Sequence, residues 1–484
     1  MSEPLVFNGI DATTGEYLLP PVEPETFAEA IKGEARSPEE EQRLKTWWTQ
    51  YAESNPKKQG HYLAKEGTDY KDAASAGWGV IFPYNVDPAV LKALKPLLDW
   101  RKSQAGDLYK EYTGAEGYRF KPGEMYESKD QWLQRHGGGP GPVDQEVVPY
   151  YLLLVGDPED MPYRFQTQLD VQYAVGRVHF DKVEDYWNYA NSVVSAEKKQ
   201  LALGKKGVFF GVCNPDDPAT NLSAEQLIKP LSASLSADRK AWDFTTTAGA
   251  DATKANLSRF LGGKDTPALL FTASHGMGFP NGDERQASDQ GGLLCQDWPG
   301  PKNWRKPIGK DFYFAGDDLS ADANVFGLLA FFFACYGAGT PQMDDFSRQA
   351  FKARAAIAPR NFLSRLPQRM LSHPKGGALA VVGHVERAWG SSFLWGQRAD
   401  GSGRSQVGVF SEALKRLVDG NPIGYAFEYF NGRYAELSTM LSATLEDVEF
   451  GVAVPPADLA GMWTANNDAR NYVVLGDPFV RLMA

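Results

Sequence analysis

Cysteine and histidine are scarce: the 484-residue chain holds three of the first and six of the second. Cys213, Cys295 and Cys335 cannot all pair with one another, which excludes a disulfide scaffold and fits a reduced compartment. No Cys-x-x-Cys, His-Glu-x-x-His or EF-hand spacing occurs, so no metal is expected. Basic charge is short as well. Lys and Arg number 50 against 61 Asp and Glu, a net charge of −11, whereas a nucleic-acid partner would call for a basic face. Apolar runs stop well below the ~20 residues that cross a bilayer, so no membrane partner is expected. The opening Met1-Ser-Glu-Pro-Leu-Val-Phe7 lacks the basic-then-apolar order of a secretory signal, and a cytoplasmic protein is expected. Neither Gly-x-Gly-x-x-Gly after an early strand nor Gly-x-Ser-x-Gly is present. Their absence counts against a nucleotide-dependent oxidoreductase and a serine hydrolase, and no cofactor is expected. The stretch Gly137-Gly-Gly-Pro-Gly-Pro142 is a poor phosphate cradle, because no Lys-Ser/Thr follows it and no helix opens there.

What is present is an alternation of short apolar runs and helical stretches. Residues 1–77 read as an extension. Within it Ser37-Pro38-Glu39-Glu40-Glu41 is a capped helix start, and the helix would run through Trp47 and Trp48 to Tyr51. A smaller α/β subdomain is expected over 78–200, with strands at Gly79–Phe82 and Tyr150–Val155 around a helix over Asp87–Ser103. A larger one is expected over 201–484. Its strands fall at 206–212, 268–274, 325–334, 378–382 and 472–475, and its helices at 224–237, 408–419 and 424–445. Such alternation predicts an α/β fold with a mostly parallel sheet flanked by helices. Gly-Asp-Pro follows two of the strands, at 156–158 and 476–478, which is too short an echo to establish duplication.

Two of the runs end in reactive residues. Ala268-Leu-Leu-Phe-Thr-Ala-Ser274 is followed by His275-Gly276, and Val325-Phe-Gly-Leu-Leu-Ala-Phe-Phe-Phe-Ala334 by Cys335-Tyr-Gly-Ala-Gly339. Continuous apolar runs stopped by glycine read as strands buried on both faces of a parallel sheet. Chemistry in such sheets sits at the carboxyl ends of the strands. Neighbouring strands ending in these residues would set an imidazole beside a thiol, the elements of a cysteine nucleophile and its base. Cys335 also reads as a small buried hydrophobe, and His275 as a strand-end residue bonded to a loop. The small flanks Gly276, Gly337 and Gly339 leave room for a substrate backbone. Asp216-Asp217 and Asp317-Asp318 read as solvated turns.

Thr272-Ala-Ser-His275-Gly276 and Phe333-Ala-Cys335-Tyr-Gly resemble the two catalytic blocks of caspase-like (clan CD) cysteine peptidases. Four further segments are similar to the gingipain-like branch, family C25. They are Val80-Ile-Phe with Leu94–Gly106, Tyr151-Leu-Leu-Leu-Val-Gly-Asp157-Pro, Asp170–Arg177 and Tyr472-Val-Val-Leu-Gly-Asp477-Pro-Phe-Val-Arg481-Leu. The likeness covers about 78–484. It implies a caspase-like sheet and an intracellular bacterial cysteine endopeptidase acting on a protein or peptide substrate. Cys335 would be the nucleophile and His275 the base, with the N–H groups of Gly276 and Cys335 facing the oxyanion. In the family a glutamate near the "GR" segment orients the histidine, and the nearest candidates are Asp170 and Gln172. Asp181, Asp185 and Glu386 are candidates for an acidic pocket taking a basic residue before the cut, with Trp389 as its wall. Glu386 and Arg387 read equally as solvated neighbours, and Trp389 as core. By analogy the enzyme would serve defence or regulated cell death, with residues 1–77 contacting a partner or activator. The competing reading is a catalytically silent caspase-like module used for binding or regulation.

Overall fold

The computed structural model describes residues 9–17, 23, 67–120, 126–198, 201, 203–344, 346, 355–397 and 403–484. The helix expected over 37–51 lies outside them. Ten strands form one sheet. The first five are β1 (Trp78–Ile81), β2 (Tyr109–Tyr112), β3 (Tyr151–Val155), β4 (Ala174–Val178) and β5 (Lys206–Gly211). The rest are β6 (Asp243–Ala248), β7 (Leu269–Ala273), β8 (Leu329–Phe333), β9 (Ala380–His384) and β10 (Tyr472–Gly476). Across the sheet they run β2-β1-β3-β4-β10-β9-β8-β7-β5-β6. Every neighbouring pair is parallel except β10 with β9. The expected α/β fold with its mostly parallel sheet is the fold found.

The antiparallel seam divides the sheet into two parallel halves of opposite direction. The carboxyl ends of β5–β9 therefore emerge at one edge, and those of β1–β4 and β10 at the other. Strands β7, β8 and β9 are buried along their whole length, as expected where helices cover both faces. The sheet is continuous across the boundary expected near residue 200, since β10 pairs with β4.

Helix Pro88–Ala105 begins where the Asp87 side chain accepts the N–H of Ala89 and a proline takes the first position. It packs against helix Val183–Lys198. Arg101 lies wholly buried between them. Its Nε donates to Asp477 at 2.6 Å, and its two terminal nitrogens donate to Glu197 at 2.8 and 2.7 Å. Asp477 also accepts the Trp78 indole N–H at 3.0 Å and the Phe479 N–H at 2.9 Å. The second Gly-Asp-Pro is thus a structural clasp. Its counterpart Asp157 accepts the Glu159 N–H at 2.8 Å and pairs with Arg360 at 2.9 Å. No described helix is long and apolar enough to cross a membrane.

The helix expected at 224–237 starts earlier, at Pro218, and continues through a π-helical stretch Ala224–Ile228 to Asp238. The early start follows from Asp217, whose side chain caps it. Asp217 is therefore no solvated turn; its side chain has no exposed area.

Candidate active site

Register carries the two reactive residues to the same level. Ala273 of β7 lies opposite Phe333 of β8, and Ser274 donates its N–H to the Phe333 carbonyl at 3.2 Å. His275 and Cys335 each stand two residues past that pair. The chains nearly touch here: a Cβ on Gly276 would lie 1.8 Å from the Cys335 carbonyl oxygen. Only glycine permits that approach. Both His275 and Cys335 are 0% exposed.

His275 Nε2 lies 2.7 Å from Asp217 Oδ2. Asp217 also accepts from the Tyr17 hydroxyl at 2.7 Å, the Thr220 hydroxyl at 2.7 Å and the Ala219 N–H at 3.2 Å. Burial opposes a charge on this carboxyl. The neighbouring imidazole and the hydrogen bonds from His275, Tyr17 and Thr220 outweigh it, holding the pKa at about 2. An ionised carboxylate accepts only, so Nε2 carries the hydrogen. The other nitrogen, Nδ1, accepts the backbone N–H of Gly9 at 2.8 Å. The partners thereby assign a neutral tautomer with its lone pair on Nδ1.

Cys335 Sγ accepts the Ala388 N–H at 3.3 Å, and burial pushes the thiol up to about 12. Tyr336, next in the chain, holds φ of 57° and donates its N–H to the Glu386 carbonyl at 2.6 Å. A left-handed residue beside Cys335 is a form of strain that collects at functional sites. The loop after β9 thus reaches Cys335, as its position on the adjacent parallel strand requires.

Glu386 is only 3% exposed and accepts from Arg387 at 2.8 Å. Arg387 forks onto Asp344 at 3.1 and 2.8 Å. Trp389 is buried, packs on Phe346 with ring centroids 4.4 Å apart, and donates its N–H to Asp468 at 2.9 Å.

The remaining candidates lie apart from His275. Asp170 accepts the Val175 N–H at 3.2 Å, and burial drives its carboxyl well above the usual range. Gln172 donates to the carbonyls of Gly139 and Gly141 at 2.9 and 2.5 Å. Asp181 and Asp185 follow β4 and so leave the sheet at the edge opposite His275 and Cys335. Asp181 pairs with Arg365 at 2.8 Å, and Asp185 sits in the first turn of helix Val183–Lys198 with its carboxyl raised by burial. Cys213 lies 2.5 Å from Asn221 Oδ1, and Cys295 is buried with its thiol raised by desolvation. Asp217, the carboxylate that meets the imidazole, was not among the expected residues. Its one local signal was Asp217-Pro218, a capping acid before a first-turn proline.

No protein-family model and no curated protein sequence matches the chain. Among solved structures it is similar to one described as "Structure of Protease", at 14% identity and a TM-score of 0.45, over 84% of this chain and 79% of that one. It is also similar to the complex of the pro- and mature domains of RgpB from Porphyromonas gingivalis. There the identity is 13% and the TM-score 0.44, over 84% of this chain and 80% of the other. A separase–securin complex of Saccharomyces cerevisiae matches at 10% identity and a TM-score of 0.32, over 68% of this chain and 15% of that one.

Proposed function

We propose that the chain is a caspase-like cysteine endopeptidase of the gingipain-like kind, with Cys335 as nucleophile, His275 as base and Asp217 as the group that orients the imidazole. The observation that carries this reading is the 2.7 Å bond from His275 to a buried carboxylate, on a strand whose parallel neighbour ends in Cys335 at the same level. A carboxylate on Nε2 keeps the hydrogen there and leaves Nδ1 as the basic atom.

In the reaction Cys335 Sγ attacks the carbonyl carbon of the scissile peptide bond while its proton passes to His275 Nδ1. The N–H groups of Gly276 and Cys335 face the oxygen as it gains charge. Collapse expels the amine, which takes the proton from Nδ1, and leaves a thioester. Water, deprotonated by the same nitrogen, then releases the acid and restores the thiol. Glu386 is the acid proposed to favour a basic residue before the cut, because its carbonyl accepts the Tyr336 N–H directly after Cys335.

The test is a peptide-library screen of a parent chain whose buried Gly9 contact with His275 has been opened by Ile10→Asp, beside the same chain carrying Cys335→Ala. Cleavage by the parent and none by the variant is expected. Cleavage at equal rates by both removes Cys335 from the mechanism, and cleavage by neither favours the silent binding module.

A further inference from the structure

The nitrogen that would take the thiol proton already has an occupant. Gly9 donates its N–H to His275 Nδ1 at 2.8 Å in a buried contact. Ile10–Asp11 then forms a parallel strand with Met277–Gly278, the residues directly after the histidine, with Ile10 opposite Met277. Ala12 continues the pairing by donating to the Gly278 carbonyl at 2.8 Å, and Ile308 donates to the Ala12 carbonyl at 2.8 Å. The chain next turns back on itself. Asp11 Oδ1 accepts the Thr13 and Thr14 N–H groups, and Gly15 takes φ of 75° where the carbonyls of Trp304 and Lys306 leave no room for a Cβ. Tyr17 ends the segment with its hydroxyl on Asp217. One short stretch therefore touches both the base and the carboxylate behind it.

The fit is that of a seated ligand. Ile10 and Ala12 have no exposure and pack with Met277, Leu294, Trp298 and Tyr313. The polar contacts to the base and to the strand edge come from backbone atoms, which any extended peptide possesses. A lone pair engaged by an amide N–H does not accept a thiol proton, and a nucleophile with no exposure meets no substrate. Burial raises the Cys335 thiol, which stays protonated.

We propose that Gly9–Tyr17 is an intramolecular strap that holds the site latent by occupying the Met277–Gly278 edge, where an extended peptide would otherwise lie, and that its displacement switches the site on. The inference rests on the reading of His275 as base. Competition sets the switch: a peptide or partner that takes the edge from the strap, or loss of the strap, frees Nδ1.

The test uses the full chain with Ile10→Asp, which puts a charge into the apolar seat, and Gly15→Val, which collides with the Trp304 and Lys306 carbonyls. Tyr17→Phe, one oxygen smaller, guards against loss of fold. Alkylation of Cys335 by iodoacetamide is followed by mass spectrometry, peptide cleavage is assayed alongside, and melting identifies the folded variants. Labelling of Cys335 should rise about tenfold or more in Ile10→Asp and Gly15→Val, as for a shift of a closed population towards open. Tyr17→Phe should show a smaller rise. A synthetic peptide spanning residues 9–17 should reverse the gain. Faster labelling without cleavage upholds the strap and removes the peptidase reading. Unchanged or slower labelling in the folded variants overturns the strap, whether or not the parent cleaves peptides.

Discussion

Arg101 and Asp477 meet at 2.6 Å with neither side chain exposed, although 376 residues of chain separate them. The contact ties helix Pro88–Ala105 to the turn after β10, and Glu197 completes the pairing. Breaking one side leaves an unpaired buried charge. Asp477→Ala should cost roughly 3–5 kcal/mol in urea denaturation, whereas Arg101→Met combined with Asp477→Leu should cost less.

Cys335→Ala should abolish turnover and lower stability by only about 1 kcal/mol, since it removes one buried atom. Cys213→Ala and Cys295→Ala should keep turnover, because their contacts lie with Asn221 and with the Leu293 carbonyl. Measured kcat of the three variants, with the strap displaced if necessary, checks this.

Asp217→Asn should lower kcat by roughly 10²–10⁴, by releasing the imidazole from its tautomer and orientation. It should also change stability in acid. With a folded pKa of about 2 against the ordinary ~4 of an unfolded chain, Asp217 contributes roughly 3 kcal/mol. That contribution is complete above pH ~4 and is lost as pH falls towards 2. Unfolding free energy measured from pH 6 to pH 2 should fall less steeply in the variant than in the parent.

Gly276→Ala places a methyl group 1.8 Å from the Cys335 carbonyl. The strands ending in His275 and Cys335 must separate to admit it. A loss of roughly 1–3 kcal/mol or more is expected for such overpacking, together with loss of turnover. A variant with the parent's melting temperature would show that the close approach is dispensable.

Among the acids considered for substrate selection, Glu386→Gln should shift the preference among Arg, Lys, Asp and Leu before the cut. Asp181→Asn and Asp185→Asn should not, since they leave the sheet at the other edge. An exposed carboxylate such as Asp181, paired with Arg365, discriminates little. Peptide profiling of the three variants decides it. Equal preference in all three would move the selecting group elsewhere.

Strands β7, β8 and β9 were legible because full burial on both faces writes itself as unbroken apolar sequence. Their ends were less so. The run 325–334 yields a strand only over Leu329–Phe333, since Gly327 turns the chain with φ of 87°. The common level of His275 and Cys335 followed from two strand ends in one parallel block. Asp217 was hidden because its burial comes from afar: Tyr17, Thr220 and His275 enclose it, and no local pattern announces them. Asp181 and Asp185 were grouped with the site because alternation reports strands but not their direction. The reversal at β10 against β9 sends the chain after β4 to the far edge.

The seam between β9 and β10 also governs assembly. The tenth strand in sequence is the fifth from the β2 edge, so β4 and β9 remain open-edged until residues 472–476 have emerged from the ribosome. Two half-sheets must then wait side by side, each with unpaired backbone available to the wrong partner. Ribosome-stalled chains lacking β10 should consequently recruit chaperones and aggregate, even though the strands that end in His275 and Cys335 are already made.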